Sequence, residues 1–114
     1  MSKTIVQGAD AKIAVNLKLV KCDNTKVPFD LTGATEITFC YPLAAGGYDS
    51  VTLTATEITI VSNEGGQLLV LISDTKTALM KTGEQSVEVV VDKSGDIEIF
   101  QLEKAVTVKK RICA

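Results

Sequence analysis

Histidine and tryptophan are absent from this chain of 114 residues, which holds only three phenylalanines, two tyrosines, two prolines and three cysteines. Without an imidazole, Ser-His-Asp and Cys-His arrangements are excluded, and the commonest metal ligand is missing. The cysteines, Cys22, Cys40 and Cys113, are odd in number and follow no zinc spacing. They read either as a Cys22–Cys40 disulfide, if the protein matures outside a cell, or as three reduced thiols with Cys113 on a loose tail. Charge of one sign is also lacking: a net charge of −2 gives no reason to expect nucleic acid or an anionic membrane surface as partner. Long apolar runs are absent too, none approaching the roughly 20 residues of a membrane-spanning helix. Met1-Ser2-Lys3-Thr4 runs into a first strand with no signal-peptide pattern. With so few aromatics, the core has to be built from Val, Ile and Leu, which favour strands. The length suits one domain, residues 1–114, able to bury a core without staples.

The most structured stretch runs from Gln67 to Asp92. Leu68, Val70 and Ile72 share one face of a strand and Leu69 and Leu71 the other, because side chains alternate with a period of two. A strand apolar on both faces is either covered at its back or touches a partner. After Ser73, Asp74 can cap Thr75 to Thr77, Ala78 to Lys81 favour helix, and Gly83 can take a left-handed C-cap. The expected result is one short helical turn near residues 74–82. At about two turns it is too short to stand alone, so Leu79 or Met80 must be pinned on the core. Val87, Val89 and Val91 then resume the alternation, with Ser86, Glu88 and Val90 opposite.

Elsewhere, Thr4-Ile5-Val6 reads as a short edge strand. From Ala11 to Val20, Ile13, Val15, Leu17 and Leu19 alternate with Lys12, Asn16 and Lys18 as a strand wet on one side. Asp23-Asn24 marks a polar turn, Pro28 excludes itself from a central strand, and Gly33 can supply positive φ in the corner Asp30 to Ala34. Glu36 to Tyr41 places Ile37, Phe39 and Tyr41 on one face and Glu36, Thr38 and Cys40 on the other. Val51, Leu53 and Ala55 alternate, as do Ile58 and Ile60, before the turn Asn63 to Gly66. After the turn Lys93 to Asp96, Ile97, Ile99 and Gln101 lie opposite Glu98, Phe100 and Leu102. A shift of core phase, by a bulge or a second buried face, precedes a final strand from Glu103 to Lys110. About seven to nine short strands at this spacing predict an all-β antiparallel sandwich, with a small barrel as the competing architecture.

No catalytic, cofactor or metal signature stands in the chain. Asp10, Asp30, Asp49 and Asp96 sit in turns, where Asp caps backbone groups, and lack calcium-loop spacing. Gly46-Gly47 leads into a strand, not a helix, which argues against a phosphate cradle. The loop Leu43 to Tyr48 reads better as one that orders on a neighbouring subunit. Gly46, Gly47 and Tyr48 are therefore interface candidates. So are Leu69, Leu71, Phe100 and Leu102, which form an exposed patch if their strands lie together; the alternative is that the 43–48 loop or the terminal strands cover them. Lys109-Lys110-Arg111 reads as a solvated tail or a contact for an acidic partner.

In their order and spacing, several of these pieces resemble the immunoglobulin-like domains of tailed-phage virion proteins, including the N-terminal domain of upper-baseplate proteins. They are Asp30-Leu31-Thr32-Gly33-Ala34 before a strand, Gly66 opening a β-run, Ser73-Asp74-Thr75 with Leu79 and Gly83, the Val87-Val89-Val91 strand, and a closing strand from Ala105 to Val108. The likeness spans roughly residues 10 to 110. Gln85 departs from it, standing where such domains often carry an aromatic residue.

A second departure is that the chain ends after one domain, from which no attached receptor-binding or fibre module is expected. The resemblance implies an immunoglobulin-like β-sandwich. It implies a non-enzymatic structural protein of a phage virion, made in the host cytoplasm. Such a protein would act as an adaptor on the tail or baseplate, or as a decoration protein on the head. Its partners would be other virion proteins and further copies of itself, as a homo-oligomer or multicopy assembly, with no nucleic acid or membrane involved. Exposed edges and loops would bind neighbours, with strand addition as one route. The alternative is an adhesion or carbohydrate-binding module, for which Tyr41 and Tyr48 are the only tyrosines available to stack on sugars.

Overall fold

A computed structural model describes residues 3–20, 23 and 25–110. The protein is all-β. In chain order the strands are β1 (Lys3–Val6), β2 (Ala11–Asn16), β3 (Lys18–Val20), β4 (Lys26–Pro28), β5 (Glu36–Pro42), β6 (Tyr48–Thr52), β7 (Ile58–Ser62) and β8 (Gln67–Ile72). The helix α1 (Asp74–Thr77) follows, then β9 (Gly83–Lys93) and β10 (Asp96–Lys109). A five-stranded sheet has the order β1-β10-β9-β5-β6, a three-stranded sheet the order β2-β8-β7, and β3 and β4 form a separate ribbon. No ladder joins the two larger sheets among the described residues, so the barrel alternative falls. One apolar cluster lies between them. Pairing is antiparallel except that β1 runs parallel to β10, Ile5 lying opposite Val108.

Alternation builds that cluster. Ile13 and Val15 on β2 and Leu68, Val70 and Ile72 on β8 face Ile37, Phe39 and Tyr41 on β5 and Val87, Val89 and Val91 on β9. Each fully buried branched side chain contributes about 1.5–3 kcal/mol. On β10 the inward residues are Phe100, Leu102, Val106 and Val108. The register with β9 shifts between Leu102 and Val106. Residues 103–105 lie opposite Ser86 alone, so the irregularity adds an even number of residues. The expected bulge is present, but the inward phase survives it, and residues 96–109 form one continuous strand.

Other expectations change. Leu19, read as inward, is 41% exposed. The chain leaves the sheet at buried Leu17, whose N–H donates to the Gly66 carbonyl and whose carbonyl accepts from Phe29 N–H. From there β3 and β4 pair only with each other. The helical corner is shorter than two turns: Ser73 is the N-cap, Ala78 the C-cap, and Gly83, at φ 97°, opens β9 instead of closing the helix. Tertiary bonds override local capping here. The Asp10 carboxylate accepts Asp74 N–H at 2.8 Å, while Asp74 accepts Thr75 N–H. Thr77, fully buried, donates its hydroxyl to Ala9 O at 2.8 Å and accepts Gly8 N–H. Met80 is pinned in the core, as one of the two candidates had to be, and bridges to Leu43; Leu79 is exposed. Gly33 has the positive φ expected of it. Cys22, Asn24, Arg111 and Cys113 lie outside the described residues, and with them the Cys22–Cys40 pairing and the far end of the basic tail.

Candidate functional site

The anticipated patch of four apolar residues does not form, because pairing sends its members to different places. Leu69 and Leu71 lie half-buried on the outer face of the three-stranded sheet, beside Ala14 and Lys12 of β2. Leu71 helps to line a depression of about 340 Å³ with Asp10, Lys12, Thr56 and Glu57. Phe100 and Leu102 instead turn inward on β10 and pack against the core. Phe29, at the root of the ribbon, meets the Phe100 ring edge-on at 5.0 Å, and the Lys93 ammonium sits 4.6 Å from the Phe29 ring centroid. Phe29 is thus part of the core that covers Phe100.

Gly46 and Gly47, at φ 97° and 76°, form the tip of the β5–β6 hairpin. Leu43 N–H donates to Gly47 O there, and Ala44 N–H donates to Leu79 O, so the tip is tied to the helical corner within the chain. Tyr48, 78% exposed, stands at the edge of the outer face of the five-stranded sheet. That face carries what sequence reasoning missed. Register places Ser50, Cys40, Glu88 and Gln101 side by side across β6, β5, β9 and β10. Cys40, Glu88 and Gln101, with Tyr48, Ser86 and Glu103, line an open groove of about 530 Å³. Further along β10, Ile97 and Ile99 are 60% and 57% exposed, with Val90 opposite Ile99. The alternation of each strand assigns these residues to outward faces; only pairing brings them together.

The groove is suited to contact more than to chemistry. Burial pushes the Cys40 thiol up, and the neighbouring Glu88 carboxylate pushes it further, so the thiol stays protonated and weakly nucleophilic. Among the described residues no group of His, Cys, Asp or Glu could hold a metal ion. Behind the groove, Tyr41 is buried with its hydroxyl 3.4 Å from Asp49 Oδ2, and burial, then the Asp49 charge, raises its phenol. At the end of the sheet, burial pushes Glu36 up. Hydrogen bonds from the Thr54 hydroxyl and N–H and from Ile37 N–H outweigh it, holding the carboxyl below its usual range.

The sheet edges differ in their capacity to accept a strand. On β6, Ser50 O accepts from Lys76 Nζ at 3.0 Å, and Lys76 pairs with Glu57 at 2.8 Å. Glu57 also accepts Thr52 N–H, and Asp49 accepts Ser50 N–H. Side chains thus occupy the groups that an incoming strand would need. Among the described residues no side chain seals the outer backbone of β2 or β7 in this way. Comparison of the chain with protein-family models and with curated proteins gives no match.

Proposed function

We propose that the chain is an immunoglobulin-like domain serving as a non-enzymatic assembly module of a tailed-phage virion, an adaptor on tail or baseplate or a decoration protein on the head. The observation that carries this reading is strand order. A sheet β10-β9-β5-β6 facing β2-β8-β7 corresponds to the G-F-C-C′ and B-E-D sheets of a variable-type immunoglobulin sandwich. Fold alone does not choose a function, and the surface supplies the rest. Tyr48, Val61, Ile97 and Ile99 expose large apolar area on outer sheet faces, and β2 and β7 present unsealed edges, as a protein that meets neighbours requires. No helix among the described residues is long and apolar enough to cross a membrane.

Mass in solution across a dilution series, with mass spectrometry of purified particles from the producing cells, tests the proposal. A defined oligomer and recovery of the chain in particles support it. A monomer at every concentration that is missing from particles overturns it. One observation favours a second reading: exposed Tyr48 beside Glu88 and Gln101 offers a ring for stacking and polar groups for hydroxyls, as a carbohydrate-binding module would. Glycan binding that Tyr48→Ala abolishes would move the assignment there.

A further inference from the structure

The β3–β4 ribbon is the one described element that leaves the two-sheet body, and a lone two-stranded ribbon is marginally stable in water. Its faces differ. Leu19 and Val27 continue the apolar side that roots at Leu17 and Phe29. Lys18, Lys26 and Pro28 form the opposite, exposed side. Lys18 lies opposite Pro28, so Lys26 is its diagonal neighbour, roughly 7–8 Å away by sheet geometry. The groove carries the complementary pattern. Glu88 lies opposite Gln101, and Glu103 is the next residue along that face. The two carboxylates therefore share one face of the groove, on neighbouring strands. Among the described residues the only ion pair is Lys76–Glu57, which involves neither groove carboxylate.

We propose that the Lys18–Lys26 face of one copy docks across Glu88 and Glu103 in the groove of a second copy. The ribbon cannot reach its own groove: it is rooted through Phe29 against Phe100 on the inner side of the five-stranded sheet, whereas the groove opens on the outer side. Two ammonium groups meet two carboxylates, with the Tyr48 ring as an apolar rim. Because different surfaces of the two copies meet, the contact either closes reciprocally as a two-fold dimer or, made head-to-tail, propagates into a ring or a filament. The inference rests on the multicopy reading above and names the surfaces that reading would use.

The test uses the full chain and two variants, Glu88→Lys/Glu103→Lys and Lys18→Glu/Lys26→Glu, each checked for an unchanged thermal midpoint. Sedimentation across concentration and salt reads association. Wild type associates, and does so less at 1 M salt, where the screening length falls to about 3 Å. Each variant alone, now bringing like charges together, associates at least roughly tenfold more weakly. An equimolar mixture recovers wild-type association, because the unreversed ribbon of one variant then meets the unreversed groove of the other, and the two reversed surfaces, also of opposite charge, meet each other. Association that ignores both variants overturns this contact and leaves the assembly reading standing. A wild-type monomer at all concentrations overturns self-association altogether.

Discussion

Replacing Gly66 by alanine tests whether one close backbone approach holds the ribbon to the body. Gly66 sits at φ 62°, and a Cβ there would lie 2.6 Å from Leu17 O, 2.6 Å from Phe29 O and 3.1 Å from Phe29 N. All three are backbone atoms, and no rotamer change moves them away. Leu17 N–H and Phe29 N–H are also engaged, to Gly66 O and Leu17 O, so yielding would break the bonds where β3 and β4 are rooted. The left-handed backbone costs a non-glycine residue roughly 1–2 kcal/mol, and overpacking adds about 1–3 kcal/mol. A total of about 2–5 kcal/mol is a large part of the roughly 5–15 kcal/mol a domain possesses. At about 4 °C per kcal/mol for this chain length, the thermal midpoint should fall by roughly 8–20 °C. Gly47→Ala is the control: φ is 76° and nothing lies within 4 Å of the added Cβ, so only the backbone cost of about 1–2 kcal/mol applies. Calorimetry of both variants, with hydrogen exchange at Leu17 and Phe29, reads the difference. Equal losses for the two variants would refute the claim that packing against the ribbon root demands glycine at 66.

Three further outcomes follow from polar side chains that the fold holds in place. Thr77→Val keeps the shape but strands Gly8 N–H and Ala9 O, and should cost about 1–3 kcal/mol in urea unfolding; Thr77→Ser should recover much of it, and a valine variant as stable as wild type would remove the hydroxyl from the account. Glu36 titrates below its unfolded value of 4.5, so its contribution is present above that pH and is lost as pH falls through the depressed native value. Acid unfolding of Glu36→Gln should therefore show a shallower loss below pH 4.5 than wild type, and superimposable acid limbs would contradict this. The Tyr41 phenol is raised above 10.0, so the unfolded chain ionises first and stability falls as pH rises past that value. In a Tyr48→Phe background, phenolate absorbance should appear together with alkaline unfolding; ionisation that clearly precedes unfolding would place Tyr41 in contact with solvent.

Much of the fold is legible in the chain because a half-buried strand writes its period of two into sequence. The buried sets Leu68-Val70-Ile72, Val87-Val89-Val91 and Ile37-Phe39-Tyr41 are those that alternation marks, and the turn glycines stand where positive φ is needed. Alternation sorts residues into two faces without saying which face meets the core or which strand lies alongside. For β10 both faces are apolar, and only packing against β9 and Phe29 decides that Phe100 and Leu102 turn inward while Ile97 and Ile99 stay in water. The helical corner is short for the same kind of reason: Asp10, Ala9 and Leu43, distant in sequence, outbid local capping at Asp74, Thr77 and Met80. The candidate site lay further out of reach, since Cys40, Glu88 and Gln101 are unremarkable outward residues until register sets them in one row. Local pattern thus determined the strands and their faces. Long-range pairing, selected by the burial of the whole core, decided which of those faces became a groove and which became the interior.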